Sequence, residues 1–194
     1  MKAKHLLIAM VSLLFFQINN LNAQSFKVKS FKMTVQGSSS MHDWESQVEK
    51  LECNASFKIE GNVLADIKEA VVKIPVKGIK SSKGKMMDNK TYDAFDYEKH
   101  PNIIFTLSSR KINSSNLTVE LKGTLAMAGA TKPIDVLVSY KVLPNGDLQI
   151  TGSKKFKMSE FKMEAPTAMM GTIKVGDEVT INFDIVLSST ITNL

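Results

Sequence analysis

A single cysteine stands in this 194-residue chain, so no internal disulfide can staple it. Cys53 shares the apolar face of the run from Leu51 to Ile59 and reads as a buried, inert thiol. Histidine is nearly as scarce, with only His42 and His100 beyond the first few residues. There is no HExxH, no CxxC and no glycine-rich phosphate loop, which removes the common zinc, redox and nucleotide signatures. Two distant histidines are too few for a zinc site unless carboxylates join them. The run Ser38-Ser39-Ser40-Met41-His42-Asp43-Trp44 invites a Ser-His-Asp reading. Neighbours on an extended chain point to opposite faces, so His42 and Asp43 are poorly placed as base and orienter. No convergent set of titratable groups is left to argue for an enzyme.

Long apolar runs are also missing. Leu6–Phe16 is the one sustained stretch, about half the ~20 residues of a spanning helix. Lys2, Lys4 and His5 precede it and Leu21-Asn22-Ala23 follows, so residues 1–23 read as a secretory signal peptide cleaved near Ala23. The expected mature domain is 24–194, periplasmic or secreted. The formal charge of +6 falls to +4 without Lys2 and Lys4, too mild and too scattered for a nucleic-acid binder. Two lysine groups, around Lys80–Lys90 and Lys154–Lys162, read as solvated faces. Their sharper reading is a weak attraction for anionic lipid head groups, hence transient membrane-surface contact.

What the chain does have is alternation. Phe26 and Val28, then Phe31, Met33 and Val35 after a parity switch near Ser30, predict a bulged strand. Leu51, Cys53, Ala55, Phe57 and Ile59 follow in period two, and Gly61-Asn62 reads as a turn. Ala70, Val72, Ile74 and Val76 form the next apolar face; Pro75 suggests an edge, a bulge or a partly unpaired position. Residues 84–97 place Met87, Thr91, Ala94 and Phe95 near helical spacing, predicting one short helix before Pro101. Strand patterns resume with Ile103, Phe105 and Leu107, then Leu117–Leu125, a turn at 128–131, and Ile134–Val142. Pro144-Asn145-Gly146-Asp147 is a hairpin signal. Leu148, Ile150, Gly152, Phe156 and Met158 precede an irregular loop at 165–171, and Val179–Leu187 closes the pattern. About eight strands in a meander predict an all-β fold, a closed barrel or else a two-sheet sandwich.

A small barrel is either filled by its own side chains or holds one ligand. Ala55, Ala70, Gly123 and Gly152 on the apolar faces either leave room inside or sit opposite aromatic rings. Trp44 reads as a core or barrel-end plug, or as a ligand contact. Met86, Met87, Met158, Met163, Met169 and Met170 either line an entrance or fill gaps in a core.

The motifs GSSSMHDW, HPNIIFTL, GTLAMAGATKPI and MEAPTAMMGTIKVGDEVTINFDI, in that order, resemble the YceI-like family across roughly Phe26 to Leu187. The resemblance implies an extended eight-stranded antiparallel, lipocalin-like barrel with one short helical insertion near 84–97, in typically exported bacterial proteins. It implies no catalytic residues and no covalent cofactor. It implies an apolar small-molecule ligand in the barrel: a polyisoprenoid, an isoprenoid quinone or another lipid. The candidate lining residues are then Met33, Val35, Phe57, Val72, Ile74, Phe105, Leu121, Val136, Phe156, Ile181 and Phe183, with Met87, Phe95, Met158 and Met169 from the insertion and late loops gating access. A homodimer is a further expectation, through an edge near Pro75. The competing function is a non-catalytic structural or interaction module with a side-chain-filled barrel.

Overall fold

The computed structural model describes residues 23–190, apart from the side chains of Ala168 and Met169; the expected signal peptide lies almost wholly outside the described residues. Eleven strands form one antiparallel sheet that closes on itself. They are β1 (Gln24–Ser39), β2 (Trp44–Val48), β3 (Glu52–Glu60), β4 (Val63–Pro75), β5 (Ile79–Ser81), β6 (Asn102–Asn113), β7 (Thr118–Met127), β8 (Ala130–Val142), β9 (Leu148–Lys157), β10 (Thr167–Ala168) and β11 (Ile173–Ser189). The wall is an eight-stranded barrel, β1-β3-β4-β6-β7-β8-β9-β11, with β11 pairing back to β1. Closure gives every wall strand a neighbour on both sides, although the β8–β9 ladder covers only part of their length. The three short strands lie outside this count: β2 pairs with the far half of β1, β5 with β2, and β10 with the start of β11.

Local chemistry sets the connections. The β7–β8 hairpin turns on only Ala128 and Gly129, both at positive φ, with Met127 opposite Ala130. That is the tight two-residue geometry favoured by strand twist, so the expected turn at 128–131 is shorter than predicted. The bulge near Ser30 is present as a register shift between Val28 and Ser30. It lets Phe26 and Val28 face inward together with Phe31, Met33 and Val35. The extra residue, Lys29, reaches Asp147 at 2.7 Å. Asp147 also accepts from Asn145 Nδ2 and from the Ser188 hydroxyl, tying the β8–β9 turn to the end of β11.

Three sequence expectations shift. Val76 does not extend the fourth strand, because β4 ends at Pro75 and Val76–Gly78 is a 3-10 turn. Pro75 pairs with Asn102 of β6 while the β3–β4 ladder stops at Lys73, so the three readings of Pro75 narrow to a position unpaired on its β3 side. Met158 belongs to a 3-10 turn, Met158–Phe161, above β9. The helix, α1 (Lys85–Ala94), falls inside the predicted insertion. Alternation alone did not reveal β2, β5 and β10, which are too short to carry a period.

Call the end with the start of β1 and the end of β11 the lower end. There Phe26, Phe57, Leu64, Val119, Leu148 and Leu187 are all but fully buried. Phe26 and Phe57 meet edge to face with centroids 5.2 Å apart. β4 and β8, not neighbours in the ladder, bring Cα atoms within 8 Å of each other, so the barrel is flattened in section.

Candidate functional site

The register identifies the inner face strand by strand. On β11, Val179, Ile181, Phe183, Ile185 and Leu187 face in; opposite them on β1 stand Gly37, Val35, Met33, Phe31 and Val28. Val179, Ile185 and Leu187 are buried, yet Ile181 and Phe183 between them are only half-buried. The same holds for Val35, Val72, Phe105, Leu121, Val136, Ile150 and Phe156. Outward neighbours such as Lys155 and Thr124 are exposed on the other side of the wall. The half-buried apolar residues thus face the barrel interior, at mid-height and above.

Two glycines on the inner face seat aromatic rings. A Cβ on Gly123 would lie 2.7 Å from the Phe105 ring, and one on Gly152 would lie 2.6 Å from the Phe183 ring. Each ring thus rests against the neighbouring strand, where no side chain occupies the space. Of the two readings of these glycines, the aromatic-facing one holds. Trp44 does the same at the upper rim: it covers Gly37 and donates its indole N–H to Ser38 O at 3.0 Å. It is a rim clamp.

The upper end is roofed by the insertion and the late turns. Val76, Ile79, Phe95, Met158, Phe161 and Met163 are buried there, with Phe156 edge to face on Phe161 at 5.5 Å. The insertion is pinned by polar groups. Asp88 accepts the Ser81 N–H at 2.7 Å, and Lys80 Nζ stands 2.6 Å from the Tyr92 hydroxyl.

Of the candidate lining residues, Val35, Val72, Phe105, Leu121, Val136, Phe156, Ile181 and Phe183 share the half-buried inner face. Met33 and Ile74 are inward but buried. Phe57 lies in the packed lower end, away from that surface. Phe95 and Met158 belong to the roof, and Met87 is half-buried on α1. The side chain of Met169 lies outside the described residues. Sequence reasoning passed over Ile150, although its period-two position carried the signal. It also passed over Lys154, whose inward parity was hidden by its charge.

No catalytic geometry emerges around His42. Its Nδ1 lies 2.8 Å from the Asp43 carbonyl oxygen, and Ser39 Oγ donates to His42 O, so the segment is a self-bonded turn. Burial pushes the Cys53 thiol up to about 11, away from thiolate chemistry. Among the described residues no three His, Cys, Asp or Glu side chains cluster as metal ligands, and no helix is long and apolar enough to cross a membrane. Two surface clefts, of about 210 and 190 Å³, lie at Ser109–Lys111 with Glu120 and Lys122, and beside His100 and the β7–β8 turn. Neither is lined by the mid-barrel rings.

The sequence profile of the YceI-like domain matches residues 16–187. The chain belongs to the YceI-like family. Solved structures of the same fold include BcnA of Burkholderia cenocepacia, 21% identical, with a TM-score of 0.67 over 80% of this chain and 95% of that one. A polyisoprenoid-binding domain from Saccharophagus degradans, implicated in plant cell wall breakdown, is 13% identical, with a TM-score of 0.67 over 87% and 99%. A Campylobacter jejuni YceI protein is 21% identical, with a TM-score of 0.54 over 71% and 85%. No curated protein matches the chain. At these identities the structural likeness speaks to fold.

Proposed function

We propose that this YceI-like protein is an exported binding protein that holds a long apolar ligand, a polyisoprenoid, an isoprenoid quinone or another lipid, inside its barrel for transport or sequestration. The observation that carries this reading is the inner face at mid-height, apolar yet only half-buried. Apolar burial yields about 25 cal/mol per Å², so covering roughly 300 Å² of a tail contributes about 7 kcal/mol before ordering costs. The polyisoprenoid-binding relative of the same fold supports the ligand class. The apolar inner face, which supplies no acid, base or nucleophile array, supports binding rather than catalysis.

The test is to purify the protein from its own host under gentle conditions and analyse it by native mass spectrometry and solvent extraction. A co-purifying lipid or quinone in stoichiometric amount is the expected result. A uniformly empty barrel, with no uptake of added apolar ligand, overturns the proposal. Fractionation of the host checks export, which predicts a mature chain beginning near Gln24.

A further inference from the structure

The ladder between β8 and β9 runs from Val142 opposite Leu148 only as far as Val138 opposite Gly152. Above that level β8 stays paired to β7, and β9 to β11, up to Lys157. Their facing edges, roughly 131–137 and 153–157, make no ladder with each other. The wall therefore has a seam at the height of the accessible inner face.

Lys154 stands on this seam. It lies opposite Ile181 in the β9–β11 register, in phase with inward Gly152 and Phe156. Its side chain is 28% exposed, against 61% for its outward neighbour Lys155. The stem starts inside, yet the ammonium comes within 3.9 Å of Asp135 Oδ1 on the outward face of β8. Only a gap in the wall lets it do so. The partner Asp135 is 73% exposed, and a pair this long and wet holds the ammonium weakly. Leu137, 65% exposed, gives the outer lip of the seam an apolar edge. A lysine in an otherwise apolar inward row adds nothing to packing that an aliphatic residue would not.

We propose that Lys154 is the head-group residue of the barrel, binding at the β8–β9 seam the anionic end of an amphiphile whose tail lies along the inner face. This rests on the carrier reading. The ammonium exchanges a long, screened contact with Asp135 for a short charge-assisted hydrogen bond at a partly dry site. The site therefore favours a carboxylate or phosphate head over a neutral one on the same tail.

The experiment measures displacement of a fluorescent fatty-acid analogue from the full chain by oleate and by oleyl alcohol. The wild-type protein is expected to prefer oleate by about tenfold. Lys154→Met keeps the stem and is expected to bind both equally, near the level of the alcohol in wild type, while Lys154→Arg retains the preference. Inorganic phosphate alone is expected to displace nothing, since the tail supplies most of the affinity. Equal binding of both probes by wild type, an undiminished preference in Lys154→Met, or displacement by phosphate alone overturns the head-group role and leaves the carrier reading standing. No uptake of the analogue or either chain by wild type removes both. Circular dichroism melting of each variant confirms that it is folded.

Discussion

The two ends of this barrel are built from the same residue types and behave differently. At the lower end Phe26, Phe57, Leu64, Val119, Leu148 and Leu187 interlock with almost no accessible surface. At mid-height and above, Phe105, Leu121, Phe156, Ile181 and Phe183 face the same interior and keep part of theirs. Hydrophobicity does not separate the regions. What differs is where large side chains are directed: toward one another at the lower end, against glycines in the wall above it. One chain thus combines a packed foundation with a surface left for something else to cover.

The largest expected difference is between phenylalanines. Phe57→Ala empties a fully packed site and is expected to cost about 4 kcal/mol, while Phe183→Ala, already half-accessible, is expected to cost about 2 kcal/mol or less. Urea unfolding of the two variants checks the contrast, and equal losses would mean that the two regions are packed alike. Next come the glycines. Gly123→Ala places a Cβ 2.3 Å from the Thr106 carbonyl oxygen, a backbone atom, and is expected to destabilise by about 2 kcal/mol. Gly152→Ala meets the far end of the Phe183 ring, which can swing inward. Its expected effect is a smaller stability loss with weaker apolar-ligand uptake, read by melting and by binding of the same fluorescent analogue.

The polar clamp of the lower end gives a pH signature. The Lys29 ammonium, the Ser188 hydroxyl and Asn145 hold the Asp147 carboxyl below its ordinary value. A carboxylate lowered in the folded state contributes stability above its unfolded pKa of about 3.9, lost as pH falls through the folded value. Asp147→Asn is therefore expected to cost about 1–2 kcal/mol at pH 7, a deficit that closes on acidification below pH 4. Melting curves from pH 7 to pH 2 test it. The smallest effect is expected at Tyr140, whose buried hydroxyl has no hydrogen-bond partner among the described residues. Tyr140→Phe relieves an unpaired polar group and is expected to be neutral or to stabilise by about 1 kcal/mol. A loss above 1 kcal/mol would mean that water or a ligand satisfies the hydroxyl.

Most of the wall was legible because period two forces side chains to one face. The parity switch at Ser30 announced the bulge, and the hairpin at Asn145-Gly146 was marked by its own residues. The lining was legible only in part. Phe57 and Phe183 occupy equivalent positions in their strand patterns, yet one is packed and the other half-open, a difference set by neighbours distant in sequence. Lys154 reads from the sequence as one of a solvated charge group, and the register is what places its stem in phase with the inner face.

The order of apolar and polar residues alone determined the long strands of the wall, which face of most of them turns inward, and that Cys53 is buried. Pairing partners were beyond it, since alternation is the same whatever strand lies alongside. Closure of β11 on β1, the unpaired seam between β8 and β9, and the seating of two rings on two glycines exist only once the strands are side by side. Those contacts decide where the interior is filled and where surface remains, because packing depends on which side chains meet across space.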